Sequence, residues 1–212
     1  ECRRVFGLEA VIVRTGGLPP SAPFCVRPVH DRLNLLSVSR VEANKRIDWM
    51  LASLAQLEQD GVALSKRIDW RLDVVGTGSA IEPLQKLAAD LAVADRVCFH
   101  GFVTDEQLEA AYNRAHLFLM PARQGYGLPA IEALQRGIPV LLSRESGVSD
   151  ILLGTPWATV FTGDVKQMTG RLREAVDGVI NGRQCAEALP NLPTAESWAE
   201  EVSNFCGWTR GQ

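Results

Sequence analysis

Residues 117–142 read LFLMPARQGYGLPAIEALQRGIPVLL, and the order of residue types in this stretch decides the fold. An apolar run of strand length passes through a loop holding Gly125 and Gly127 into a short helical pattern. The chain then returns through Gly137 and Pro139 to a second apolar run. Strand, glycine-bearing turn, helix and strand are the repeating unit of a parallel α/β sheet. Backbone N–H groups at a helix N-terminus reached through glycines make an anion site. Gln124, Gly125 and Gly127 stand at that turn, and the carboxylate of Glu132 lies further along the helix, where it can meet hydroxyls on whatever carries the anion.

The same alternation extends both ways. Residues 33–39, 70–75, 96–99, 116–120 and 138–142 read as strands, and 47–59, 81–91, 104–113 and 128–136 as helices. Thr104 and Gln107 have the spacing of a capping box. The strands are nearly continuous apolar runs, the pattern of a parallel sheet covered on both sides. The expected fold class is therefore α/β, a Rossmann-like parallel sheet with helices on both faces. Beyond 142 the reading is a turn of helix at 147–153, a strand at 158–161, a helix at 165–180 and a last helix at 195–208. The first 32 residues are rich in Pro, Arg and Gly, with a short strand expected at Val11-Ile12-Val13. The domain expectation is a linker ending a preceding module over 1–32, one ligand-binding domain over 33–190, and a C-terminal helical segment over 191–212.

With 212 residues and 46% apolar content, the chain can bury one sizeable core or two modest ones. The net charge of −3 is spread without a basic run, which argues against nucleic acid as a partner. Cys2, Cys25, Cys98, Cys185 and Cys206 are odd in number and contain no CxxC, as expected of free thiols in a reducing compartment, so a cytoplasmic location is expected. No apolar run approaches the roughly 18 residues of a transmembrane segment. The chain begins at Glu1 rather than Met, so a piece of a longer protein is expected.

The notable polar groups follow strands. Arg40 follows the first, with Lys45 opening the next helix; Gly76 and Gly78 follow the second, His100 and Gly101 the third, 123–127 the fourth and 143–147 the fifth. In a parallel sheet these positions converge on one edge. Arg40 and Lys45 then share a rim with the Gly125–Gly127 amides, where charge-assisted bonds of about 1.5–3 kcal/mol each could hold a diphosphate and offset the charge it gains as a leaving group. Singly, each has a structural reading: Arg40 and Lys45 as solvated charges, His100 as a satisfied loop histidine, Glu132 as a helix-surface carboxylate. Gly76-x-Gly78 meets Ile81 where a dinucleotide fingerprint needs glycine. There is no Asp-x-Asp pair, HExxH, P-loop or GxSxG. No metal ligand set is expected, and charge neutralisation falls to Arg, Lys and the helix dipole.

In several blocks the chain resembles the C-terminal domain of retaining GT-B glycosyltransferases of family 4. These are SVSR at 37–40, NKRID at 44–48, VVGTG at 74–78, VCFHGFV at 97–103, MPARQGYGLPAIEAL at 120–134, GIPV at 137–140 and GVSD at 147–150. The resemblance implies the C-terminal half of a GT-B fold and a hexosyl transfer, with retention and without metal, from a nucleoside diphosphate sugar (UDP or GDP) in polysaccharide biosynthesis. It implies that Arg40 and Lys45 bind the donor diphosphate and that His100, Gly101 and Phe102 line the base pocket. Gly125, Tyr126, Gly127 and Leu128 would offer amides to the distal phosphate and sugar, Glu132 would hold the ribose, and Gly76 and Asp150 would border the nucleotide. No cofactor is implied beyond the donor substrate. The acceptor, a glycan or glycolipid, would come through an N-terminal domain toward which the last helix, with Trp198 and Trp208, packs. The location implied is the cytoplasm or the cytoplasmic face of a membrane. The family's Glu-x7-Glu pair meets Gln124 at its first position, and Asp150 stands where glutamate is usual. Gln124 leaves two readings open: an adapted donor site, or a nucleotide-sugar-binding or regulatory module with weakened catalysis. An NAD(P)-binding Rossmann domain is a third, disfavoured by Ile81.

Overall fold

A computed structural model describes residues 7, 11–17, 19, 24–60 and 69–208. Cys2 and part of the Pro-rich leader lie outside the described residues. Six strands, β1 (Arg32–Val38), β2 (Asp69–Val75), β3 (Val97–Gly101), β4 (Leu117–Met120), β5 (Val140–Ser143) and β6 (Ala158–Phe161), form one sheet in the order β3-β2-β1-β4-β5-β6. All five pairings are parallel. The helices are α1 (Ile47–Gln59), α2 (Ile81–Asp90), α3 (Asp105–Arg114), α4 (Leu128–Gln135), α5 (Ser149–Leu152), α6 (Val165–Ile180) and α7 (Ala195–Cys206).

Each sheet face has its own core. Leu33, Leu35, Leu72 and Leu141 pack under α1, α2 and α6 through Met50, Leu54, Leu84 and Leu172. Leu36, Phe118 and Leu142 pack under α3, α4 and α5 through Tyr112, Ile131, Leu134 and Leu152. All four residues of β4 and of β5 are buried, which is why they are apolar except for Ser143 at the end of β5. The chain leaves β1 toward β2 and reaches β4 on its other side. The strand order therefore reverses between β1 and β4, opening a crevice at their carboxyl ends.

The Thr104 capping box forms, with the Gln107 N–H donating to Thr104 Oγ1 and the Thr104 N–H to Gln107 Oε1. Three details differ from the sequence reading. Val11–Val13 form no strand; Val11 and Ile12 are exposed and join neither edge of the sheet. Strand β3 runs through His100 and Gly101, because Gly101 O accepts the Gly76 N–H at 2.9 Å and prolongs the pairing. Strand β5 starts at Val140, since Pro139 has no N–H to give and the ladder toward β6 begins with Val140 N–H on Trp157 O at 2.9 Å. Residues 24–29 precede the sheet but are not a free linker. Phe24 meets Trp157 edge-on at 5.5 Å, and the Arg27 guanidinium donates to Cys25 O, Arg136 O and Asn113 Oδ1. In contrast, α7 has no buried residue, and Trp198, Phe205 and Trp208 are exposed. Among the described residues no helix is long and apolar enough to cross a membrane.

His116 carries a pH dependence. Its backbone N–H donates to Asn34 O at 2.8 Å, and its Nδ1 accepts the Asn34 N–H at 2.9 Å, so the ring closes the start of the β1–β4 seam. Burial, then the positive charge of Arg27, lowers its pKa, against a bond to the Pro28 carbonyl that raises it. The folded pKa lies below the unfolded value of about 6.5. The stabilisation is therefore complete above that value and is lost as pH falls from it through the folded pKa. We expect urea-unfolding free energies between pH 7 and 5 to fall less steeply in His116→Gln than in the parent chain; equal slopes would refute the assignment.

Candidate functional site

The loops after β1, β2, β4 and β5 meet at the β1/β4 crevice. Lys45, in the 3-10 turn before α1, donates from Nζ to Gln124 Oε1 at 2.9 Å, joining residues far apart in the chain. Gln124 Nε2 points to the Met120 sulfur at 2.7 Å. Both residues line a cavity of about 150 Å³ with Ser39, Met120 and Pro129. Burial, then the neighbouring charge of Arg40, lowers the Lys45 pKa. Arg40 is exposed and acts on Lys45 through its charge, but it does not line that cavity.

Backbone stitching holds the glycine loop. The Gly147 N–H donates to Gln124 O at 3.3 Å, the Val148 N–H to Tyr126 O at 3.3 Å, and Ser146 Oγ to Tyr126 O at 2.7 Å. Gly127 is the residue before α4, with φ of 133°, and a Cβ there would stand 2.6 Å from Met120 Cε. Gly125 is exposed at the loop tip, and Leu128 opens the helix. The Tyr126 hydroxyl is buried without a hydrogen-bond partner among the described residues, and burial raises its pKa. Asp150, in the first turn of α5, is exposed and paired with Arg144 at 2.7 Å.

Glu132 lies apart from Lys45 and Gln124. Pro129 lines their cavity, but Glu132, one turn further along α4, faces a groove of about 640 Å³ between α3 and α4. The Tyr112 hydroxyl donates to Glu132 Oε2 at 2.9 Å, and burial, then the Glu132 charge, raises the Tyr112 pKa well above its usual value. Arg136 lies over the Tyr112 ring at 4.7 Å, grips Glu109 through Nε and Nη2, and donates from Nη1 to Glu132 O at 2.9 Å. Gly17 packs on the Glu132 side chain, where a Cβ would stand 2.4 Å from Cγ. α4 thus presents two separate places one turn apart, a polar pocket with a cation and a groove with a carboxylate.

Of the β2 and β3 residues, Phe102 is 85% exposed beyond the end of β3. The His100 side chain turns back to Asp73, with Nε2 2.7 Å from Oδ1. Gly76 has a structural task. Its φ is 130°, and a Cβ would lie 1.9 Å from Ser39 O, because the loops after β1 and β2 touch backbone to backbone. Strain and overpacking of about 1–3 kcal/mol each apply. Gly76→Ala is expected to lower the urea midpoint by the equivalent of about 2–5 kcal/mol; an unchanged midpoint would show that this contact relaxes freely.

Sequence reasoning missed three supports. Arg46 adopts a left-handed conformation with φ of 56°, donates to Pro121 O at 3.2 Å, pairs with Glu145 at 2.6 Å and covers Trp49 at 4.4 Å. It fixes the turn bearing Lys45 against the β4 and β5 loops. Glu42 accepts from the Ser79 N–H and hydroxyl, tying the β1 loop to the β2 loop, and these bonds lower its pKa. Tyr112 orients Glu132. Arg46 stands in the NKRID block but carries no role there, Glu42 stands in no motif, and Tyr112 reads only as a core position of its helix.

A parallel sheet in this order, with cations and a glycine loop at its switch point, defines a Rossmann-like domain of the type that forms the C-terminal half of GT-B glycosyltransferases. Residues 26–186 match the family described as glycosyl transferases group 1, and the chain belongs to that family. It is 32% identical over 149 residues to a GDP-mannose-dependent alpha-(1-6)-phosphatidylinositol monomannoside mannosyltransferase of Mycolicibacterium smegmatis, covering 66% of this chain and 37% of that protein. It is 38% identical over 124 residues to a D-inositol 3-phosphate glycosyltransferase of Streptomyces scabiei, covering 56% of this chain and 27% of that protein. The crystal structure of WaaG, a glycosyltransferase involved in lipopolysaccharide biosynthesis, superposes with a TM-score of 0.63 at 24% identity, over 85% of this chain and 48% of that one. The chain thus spans well under half the length of these relatives.

Proposed function

We propose that this chain is the donor-binding domain of a retaining glycosyltransferase that moves a hexose from UDP- or GDP-sugar to a hydroxyl of a glycan or glycolipid. The observation that carries the reading is the Lys45–Gln124 contact at the β1/β4 crevice, which sets a cation against the stitched glycine loop at the start of α4. In this reading Arg40 and Lys45 neutralise the diphosphate without a metal clamp. The 125–128 amides meet the distal phosphate and sugar, Gln124 meets a sugar hydroxyl, Glu132 the ribose, and Phe102 stands at the edge of the base site. The acceptor is presented by the remainder of a longer protein, in the cytoplasm or at the cytoplasmic face of a membrane. The names of the mannosyltransferase and inositol phosphate glycosyltransferase relatives support the reaction class.

Thermal-shift measurements with UDP-, GDP- and ADP-sugars, and with NAD as control, test this. Ligand-induced stabilisation follows RT ln(1 + [L]/Kd), so millimolar ligand reveals even a weak site. We expect a rise in Tm with UDP- or GDP-sugar and none with NAD; the reverse pattern would overturn the proposal.

A further inference from the structure

We propose that Asp73, Cys98 and His100 form a binding site for one divalent transition-metal ion of the zinc type at the β2–β3 edge of the sheet. Cys98 lies directly across from Asp73 in the β2–β3 ladder. The register then slips: Val74 pairs with Phe99 and Val75 with Gly101, so His100 is the extra residue of a bulge. Bulges re-aim side chains, and this one brings His100 Nε2 to 2.7 Å from Asp73 Oδ1 and Nδ1 to 3.9 Å from Cys98 Sγ. One ligand atom from each of the three residues lies within 4.8 Å of the others.

The donor set decides the ion class. A thiolate, an imidazole and a carboxylate suit zinc, cobalt or nickel, whereas calcium and magnesium favour oxygen alone. Bond lengths of about 2.0–2.3 Å in a tetrahedral site set ligand atoms roughly 3.3–3.7 Å apart; the ion takes one ring nitrogen of His100, and a spacing within 4.8 Å leaves small side-chain shifts to close the site. Entry of the ion replaces the His100–Asp73 hydrogen bond, releases the Cys98 thiol proton to solvent, and converts a hydrogen-bonded chain into three ligands. Asp73 is buried, while Cys98 and His100 are half-buried on an edge strand, so the ion has a route in. His100 also lines a cavity of about 290 Å³ with Phe102, Gln107 and Arg114, a source of water for a fourth ligand. Arg71 is the competitor: its Nε lies 3.2 Å from Asp73 Oδ1, the same oxygen that His100 uses. Arg71→Gln should therefore tighten ion binding several-fold.

The test is a Co²⁺ titration of the 212-residue chain with Cys2, Cys25, Cys185 and Cys206 replaced by serine, which leaves Cys98 as its one thiol. One equivalent of Co²⁺ should produce a thiolate-to-cobalt charge-transfer band in the near ultraviolet and intense four-coordinate bands in the visible, and Zn²⁺ should abolish both. His100→Gln, at a half-buried position that should still fold, is expected to weaken Co²⁺ binding at least tenfold, as should Asp73→Asn if it retains the parent circular dichroism. Absence of a thiolate band overturns the proposal. So does a band whose midpoint His100→Gln leaves unchanged, which would mean that Cys98 binds alone.

Discussion

Glu132→Ala is expected to lower the chain's affinity for UDP or GDP at least tenfold, about 1.4 kcal/mol, and to remove its preference for ribonucleotide over 2′-deoxyribonucleotide. The carboxylate stands in the α3–α4 groove with Tyr112 donating to Oε2. A carboxylate held by a buried phenol keeps its rotamer, and a carboxylate accepts hydrogen bonds from a vicinal diol. The substitution should spare the fold. Arg136 donates to the backbone oxygen of Glu132, a bond that the substitution keeps, and Tyr112 retains a contact to Pro129 O at 3.4 Å. Tyr112→Phe removes the orienting bond while keeping the ring stacked on Phe118 at 6.1 Å. It should shrink the ribose preference by a smaller factor with little change in Tm. Isothermal titration with paired ribo- and deoxyribonucleotides is the measurement. An unchanged ribose preference in Glu132→Ala would sink the ribose role; a lost preference there with an intact one in Tyr112→Phe would remove Tyr112 from it.

Most of the sheet was legible because burial on both faces writes itself directly into sequence. LFLM at 117–120 and VLL at 140–142 can be apolar throughout only where helices cover both sides. The meeting of Lys45 with Gln124 was legible as well, since parallel strands deliver post-strand loops to one edge whatever their separation in the chain. What stayed hidden depends on side-chain direction and register. The left-handed position at 46 is an arginine, not the glycine or asparagine that would announce it, and its three contacts come from the β4 loop, the β5 loop and α1. Asp73 and Cys98 read as ordinary strand residues until the ladder sets them opposite each other and a bulge swings His100 toward them. Tyr112 and Glu132 sit on different helices, and their pairing follows from how α3 and α4 pack, which periodicity does not encode. Gly76 was legible as a strand-end glycine, but its reason, contact with Ser39 O, was not.

Lys45→Met is expected to weaken nucleoside diphosphate binding by about 10- to 150-fold, the equivalent of roughly 1.5–3 kcal/mol for one lost charge-assisted bond, while leaving affinity for the bare nucleoside unchanged. Lys45 already shares Gln124 Oε1, and that neutral acceptor orients the ammonium without cancelling its charge. Gln124→Glu changes this balance in two ways. A carboxylate 2.9 Å from Nζ would form an ion pair that competes with an incoming diphosphate. Its second oxygen would replace the amide N–H that now points at the Met120 sulfur from 2.7 Å, setting lone pair against lone pair. Both effects oppose the anion, so Gln124→Glu should bind UDP or GDP about tenfold more weakly, about 1.4 kcal/mol. Turnover in the longer enzyme should fall with it. That outcome marks Gln124 as an adaptation of the donor site. Tighter binding together with a gain of turnover in Gln124→Glu would instead mean that the acid had been lost from an active ancestor, and would favour the weakened nucleotide-sugar-binding module over the working transferase.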